Sequence, residues 1–142
     1  MNVRYYLFAL PLVAEAFFEL LLARIKIAGN NGKKVLSKLQ NASDSEEISI
    51  TDDQKNQAKQ IGRIIRFVLR YTRWSPTCLV QSLAAIRMIR RRGLSGLLYI
   101  GVNRGDDHQF GAHAWVCVGD VDVCGGRQAS DFKIISVYDI RS

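Results

Sequence analysis

The spacing of apolar residues changes once along this chain, at Gly93, and that change limits the folds it can reach. Before Gly93, apolar positions recur every three or four residues. Ala58, Ile61, Ile64, Ile65, Val68 and Leu69 form one helical stripe. After Gly93 they form short runs, as in Leu97-Leu98-Tyr99-Ile100-Gly101-Val102, or alternate, as in Phe132, Ile134, Ser136, Tyr138 and Ile140. Helices first and strands afterwards predict an α+β fold, with a helical N-terminal half packed on a small antiparallel sheet. The 142 residues suit a single domain, 1–142, with a helical part over 1–72 and a helix plus the sheet over 73–142.

Breakers place the elements. A first helix over about 5–27 ends before Gly29-Asn30-Asn31-Gly32. A short helix is expected over 33–40 and a polar, acidic loop over 41–49. Thr51 or Asp52 can cap a third helix that runs to about Tyr71. Ser75 as N-cap and Pro76 at the first helical position predict a fourth helix, which stops at Gly93. Strands follow over 97–102, 110–118, 121–124 and 132–140. Gly119-Asp120 makes a tight hairpin turn, and 125–131 reads as loop.

The first helix is amphipathic. Glu15 and Glu19 share a face with Ala23 and Lys26, and the opposite face carries Leu10, Ala14, Phe17, Leu21 and Ile25. Two carboxylates make a membrane-spanning helix costly, so the helix is read as docked on the domain. Peripheral contact with the inner face of a membrane is the lesser reading.

The formal charge of +7 implies a basic face or an acidic partner, and no nucleic-acid motif accompanies it, so nucleic acid is not expected. Arg90, Arg91 and Arg92 fall in the last turn of their helix, where cations complement the dipole. Cys78, Cys117 and Cys124 make an odd count without a close pairing pattern, which argues against a disulfide framework. Only His108 and His113 could supply imidazole to a zinc site, so neither a metal nor another cofactor is expected. His108 reads as solvated surface. A reduced, cytoplasmic protein is the expectation.

Chemistry centres on Cys78 and His113. Cys78 falls at about the third position of its helix, where free N–H groups and the dipole favour negative charge. His113 lies near the start of a later strand. A thiol within reach of an imidazole gives an activated nucleophile, and backbone N–H groups at the helix start can serve as oxyanion donors. Trp115 shares the strand face of His113, where it can shield the imidazole, floor a substrate groove or simply fill core.

Cys78-Leu79, Ser82-Leu83-Ala84, Arg90-Arg91-Arg92-Gly93, Leu98-Tyr99-Ile100-Gly101-Val102, Phe110 and Ala112-His113-Ala114-Trp115-Val116 together carry a family resemblance. The series, strongest over about 74–126, resembles the transglutaminase-like leader peptidases of lasso-peptide biosynthesis. The resemblance implies a transglutaminase-like, papain-like cysteine protease core. It implies a bacterial enzyme that removes the leader from a ribosomally made precursor, with Cys78 as nucleophile and His113 as general base and acid. The helical N-terminal half lacks the layout of a leader-recognition domain, so the chain looks like the stand-alone form. Its implied partners are the precursor leader, a small leader-recognition protein and the separate ATP-dependent cyclase. Other acyl transfer or amide hydrolysis, and a non-catalytic adaptor role, are the alternatives.

The wider fold uses an aspartate on the following strand to orient the histidine. With a two-residue turn at Gly119-Asp120, His113 faces Gly126 rather than an acid. Asp122 pairs with Cys117, about 13 Å along the strand. Asp122 ranks first as the third member and Asp120 second, and a backbone carbonyl is the other way to hold the ring.

Overall fold

The computed structural model describes residues 4, 9–29, 34, 36–41, 49–73, 77–105 and 110–141. Its elements are α1 (Leu10–Gly29), β1 (Gln40–Asn41), α2 (Asp52–Tyr71), α3 (Cys78–Arg91), β2 (Gly96–Arg104), β3 (Phe110–Val118), β4 (Val121–Cys124), a 3-10 helix (Gly126–Asp131) and β5 (Lys133–Ile140). The strands form one antiparallel sheet in the order β1-β5-β2-β3-β4, in which β1 is a two-residue addition. This is the expected α+β architecture.

Local chemistry sets the helix ends. At α2, Thr51 Oγ1 accepts from the Gln54 N–H at 3.2 Å, and Gln54 Oε1 accepts from the Thr51 N–H at 3.0 Å. This reciprocal capping box satisfies two donors that the helix itself leaves open. At α3 the cap is Thr77, whose Oγ1 accepts from the Val80 N–H at 3.3 Å. Cys78 is therefore the first helical residue rather than about the third, and Ser75 is not the cap. Ser75 and Pro76 themselves lie outside the described residues. At the other end Leu94 N–H donates to Ile89 and Gly93 N–H to Arg90, the pairing of a Schellman motif.

The helix expected over 33–40 falls partly outside the described residues. Lys34 and Leu36 are helical, while Gln40–Asn41 pairs with Tyr138 and Asp139 of β5. The expected loop after Cys124 contains the 3-10 helix. On β5, the expected alternation holds only at the end. Ile100 pairs with Ser136 and the next residue, Gly101, with Ile134, so Ile135 is bulged out. Both Ile134 and Ile135 are exposed as a result, whereas Tyr138 and Ile140 pack on the core.

Helices α1, α2 and α3 lie on one face of the sheet. Leu98, Val116, Val118 and Ile140 point into them and meet Ile61 and Ile64 of α2, Met88 and Ile89 of α3, and Leu20 of α1. These side chains are fully buried, each contributing about 1.5–3 kcal/mol of transfer free energy.

α1 docks through the face that carries its carboxylates. Ala16, Glu19, Leu20 and Ala23 are its buried residues. Glu19 is wholly buried, with Arg91 Nη2 at 2.5 Å and Arg87 Nε at 2.6 Å. The second contact is an ion pair without hydrogen-bond alignment. Glu15 pairs with Arg91 at 3.2 Å and with Arg92 at 2.8 Å. The arginine run at the end of α3 is thus a tertiary ion-pair partner for α1, beyond its dipole complement. Small Ala16 and Ala23 let the two helices approach closely. Leu10, Phe17, Leu21 and Ile25, the apolar face, are left exposed.

Candidate active site

β3 presents successive residues to opposite faces of the sheet. Ala114, Val116 and Val118 go to the helix-covered core, and His113 and Trp115 go to the other face. There the aromatic side chains form a continuous row. Tyr99, directly across from Trp115 on β2, stacks on it at 5.4 Å. Trp115 stacks on His113 at 5.8 Å, and Phe132 closes the row against His113 at 5.0 Å. Offset stacking of this kind adds about 0.5–1.5 kcal/mol per pair beyond area burial.

Gly101 makes the row close-packed. It sits directly across from His113 on β2. A Cβ there would lie 2.8 Å from the Phe132 Cβ and 3.0 Å from the Trp115 ring. Only a residue without a side chain lets Trp115 and Phe132 close around the imidazole. Trp115 is 5% exposed and is packed between Tyr99 and His113.

His113 is 9% exposed, and its Nε2 lies 2.7 Å from the carbonyl oxygen of Gly125. A carbonyl only accepts, so Nε2 carries the proton and Nδ1 of the neutral ring keeps its lone pair. Gly125 can present that carbonyl because its φ is +80°, and because a Cβ would stand 2.7 Å from the Ala114 oxygen. The register shifts once beside this turn. Cys117 pairs with Asp122, as expected from the two-residue turn, but Val116 pairs with Cys124. The bulge between them leaves Val123 as the extra residue of β4, and Gly125 lies against Ala114 and Trp115.

The two aspartates make other bonds. Asp122 is exposed, and its Oδ1 accepts from the Gly126 N–H at 2.9 Å. Asp120 pairs with Lys55 at 2.9 Å, and that hydrogen bond holds its carboxyl below the usual range. Neither carboxylate has a bond to the imidazole among the described residues. In place of the expected aspartate, a carbonyl orients His113, and Asp122 pins the turn that supplies it. Gly101, Gly125 and Phe132 are the site residues that sequence reasoning passed over. The paired glycines at the end of β4 were the available signal for the second.

Cys78 is half-buried at the first position of α3 and packs against the helix-side core. Its own N–H and that of Leu79 belong to the first turn, where no intrahelical carbonyl is available. One turn on, Ser82 Oγ lies 4.0 Å from Cys124 Sγ. Cys124 directly precedes Gly125, whose carbonyl holds His113. The start of α3 and the imidazole therefore approach the end of β4 from its two sides, and no hydrogen bond joins Cys78 to His113 among the described residues. A cleft of about 230 Å³ opens beside Gly125, between Arg66 and Leu69 of α2, Gln81 of α3 and Arg127. Cys117 and Cys124 are unsuited to nucleophilic work. Burial pushes their thiols up to about 11 and about 12 respectively. No cluster of three metal-ligating side chains occurs among the described residues. His108 lies outside them.

A family model described as the transglutaminase-like superfamily matches residues 20–137. No match was found among the curated proteins or the solved structures. The matched span runs from α1 into β5 and includes Cys78, His113 and the Gly125 turn. The chemistry of such domains is cysteine-based, with hydrolases and acyl transferases among them. On that match, which covers most of its length, the chain belongs to the transglutaminase-like superfamily.

Proposed function

We propose that this protein is a cysteine peptidase that removes the leader from a ribosomally synthesised lasso-peptide precursor. Cys78 is the nucleophile and His113 the general base and acid. The observation that carries the chemistry is the 2.7 Å contact between His113 Nε2 and the Gly125 carbonyl, which leaves Nδ1 as the basic nitrogen. The peptidase assignment and the substrate class rest on the series of motifs from Cys78 to Val116.

Nδ1 takes the Cys78 proton, and the thiolate attacks the carbonyl carbon of the last leader residue. Amides of the first turn of α3 stabilise the oxyanion. The C–N bond then breaks, the proton on Nδ1 passes to the departing amine, and the leader stays as a thioester on Cys78. Water, deprotonated by Nδ1, attacks that thioester and releases the leader carboxylate. The cleft beside Gly125 takes up part of the extended leader. Cys78 and His113 stand toward opposite faces of the sheet among the described residues, so catalysis requires a rearrangement that brings them together when the precursor binds. A small recognition protein delivers the leader, and a separate ATP-dependent cyclase receives the freed core.

The test is incubation of the protein with a precursor and recognition protein encoded in neighbouring reading frames, read by mass spectrometry. The expected products are an intact leader and a core that begins at its own N-terminus, with no cleavage by Cys78→Ala. A crosslinked mass assigns transfer instead. Undiminished cleavage by Cys78→Ala overturns the mechanism.

A further inference from the structure

The orientation of α1 leaves its apolar stripe without a partner in the described fold. Leu10, Phe17, Phe18, Leu21 and Ile25 are 38–60% exposed, along about 22 Å of helix. Tyr71, at the end of α2, is 69% exposed beside them. A groove of about 440 Å³ runs between the two helices and is lined by Leu10, Val13, Phe17, Phe67 and Tyr71. Contiguous exposure of this kind marks an interaction surface.

Charge says what the surface meets. Both carboxylates of α1 are turned inward to Arg87, Arg91 and Arg92. Its exposed ionic side chains, Arg24 and Lys26, are cations, and Arg24 stands beside Phe17 and Leu21 on the stripe side. On α2 no acid follows Asp53, and Lys59, Arg63 and Arg70 are exposed, with Arg73 just beyond. Arg63 lies one turn before Phe67, on the groove side of the helix. An apolar ridge bordered by charge of one sign therefore faces outward.

We propose that the outward face of α1, with the adjoining end of α2, docks on an anionic lipid surface. The large side chains stand on one face of a single helix, which suits insertion between headgroups. The groove beside the ridge has room for part of an acyl chain. The cations meet lipid phosphates, each adding about 1 kcal/mol near such a surface. No described helix is long and apolar enough to cross a membrane, so α1 lies in the plane of the interface.

Co-sedimentation of the full chain with vesicles tests this. The probes are phosphatidylcholine alone and phosphatidylcholine with about one-quarter phosphatidylglycerol. The expected result is binding to the anionic vesicles only, released at about 0.5 M NaCl. The F17E/L21E double variant should lose at least about tenfold in binding while keeping its helical circular dichroism. R63E/R73E, which leaves the apolar residues in place, should bind more weakly to anionic vesicles and carries the test if the first variant misfolds. Equal binding to both vesicles, full binding by the charge variant, or no sedimentation overturns the proposal. A dimer in solution that F17E/L21E converts to monomer, without vesicle binding, reassigns the face to self-association.

Discussion

His113 Nε2 and the carbonyl oxygen of Gly125 are 2.7 Å apart, in a hydrogen bond that crosses from β3 to the residue just past β4. That bond fixes the tautomer of the one described histidine in a transglutaminase-like chain. It uses a backbone group at a position that a side-chain carboxylate serves in the wider fold. A carbonyl orients the ring but carries no full negative charge.

The assignment predicts an unusual pair of mutants. Gly125→Ala strains a φ of +80° and drives a Cβ to within 2.7 Å of the Ala114 oxygen, so the carbonyl must turn away. Precursor cleavage should fall by about tenfold or more. Asp122→Asn keeps an oxygen for the Gly126 N–H, and its rate should stay within about threefold of the parent. Single-turnover kinetics on both variants decides the matter. A collapse in Asp122→Asn with normal Gly125→Ala would restore the carboxylate as the orienting group.

The cysteines should separate cleanly by reactivity. Burial pushes Cys117 up to about 11 and Cys124 up to about 12, so both stay protonated at neutral pH. Native alkylation at neutral pH, mapped by peptide mass, should therefore modify Cys78 and spare the other two. In Cys78→Ala, no label should enter until the chain is unfolded. Rapid native labelling of Cys124 would contradict the packing around Ser82.

The two carboxylates of α1 should differ in worth. Glu19 is wholly buried between arginines, and Glu19→Ala leaves Arg87 and Arg91 without their counter-charge. A loss of about 3 kcal/mol in urea unfolding is expected. Glu15→Ala, at the wetter end of the same network, should cost about 1 kcal/mol or less. Equal losses would mean that the buried position confers no added coupling.

Glu15 also sets part of the acid limb of stability. The hydrogen bond from Arg92 holds its carboxyl below the ordinary value of 4.5. A folded-state value below the unfolded one stabilises the protein above 4.5, and the contribution disappears as pH falls through the folded value. Urea midpoints measured across this acid range should drop for the parent chain. The drop should be shallower in Glu15→Gln, which starts from a lower plateau.

Gly101→Ala should disturb the aromatic row without touching the imidazole directly. Its Cβ would press on the Phe132 Cβ and the Trp115 ring, a small-to-large change worth about 1–3 kcal/mol. Near-ultraviolet circular dichroism of Trp115 should change together with the cleavage rate. An unchanged aromatic signal would show that the row has slack.

Much of this molecule was legible in the chain itself. The caps at Thr51 and Gly93, the hairpin at Gly119-Asp120 and the bounds of β3 and β4 depend on neighbours within a few residues. Period 3.6 and period 2 are properties of the local string. Where local cues competed, tertiary contacts chose. Ser75-Pro76 and Thr77 both offer starts to α3, and the fold uses Thr77. The alternation from Phe132 to Ile140 promised a regular strand, but pairing with β2 across a bulge exposed two adjacent isoleucines.

The sequence by itself determined the α+β class and the order and type of the main helices and strands. Only the tertiary structure decided which face of α1 is buried and what holds His113. The reason is the same in both cases. A stripe of Leu10, Phe17, Leu21 and Ile25 is apolar whatever it meets. Its burial depended on whether Arg87, Arg91 and Arg92, some seventy residues away, claimed the carboxylates on the other side. Likewise Asp122 lies where turn geometry puts it, but the left-handed backbone of Gly125 just past β4 turned a carbonyl, and not a carboxylate, to the imidazole.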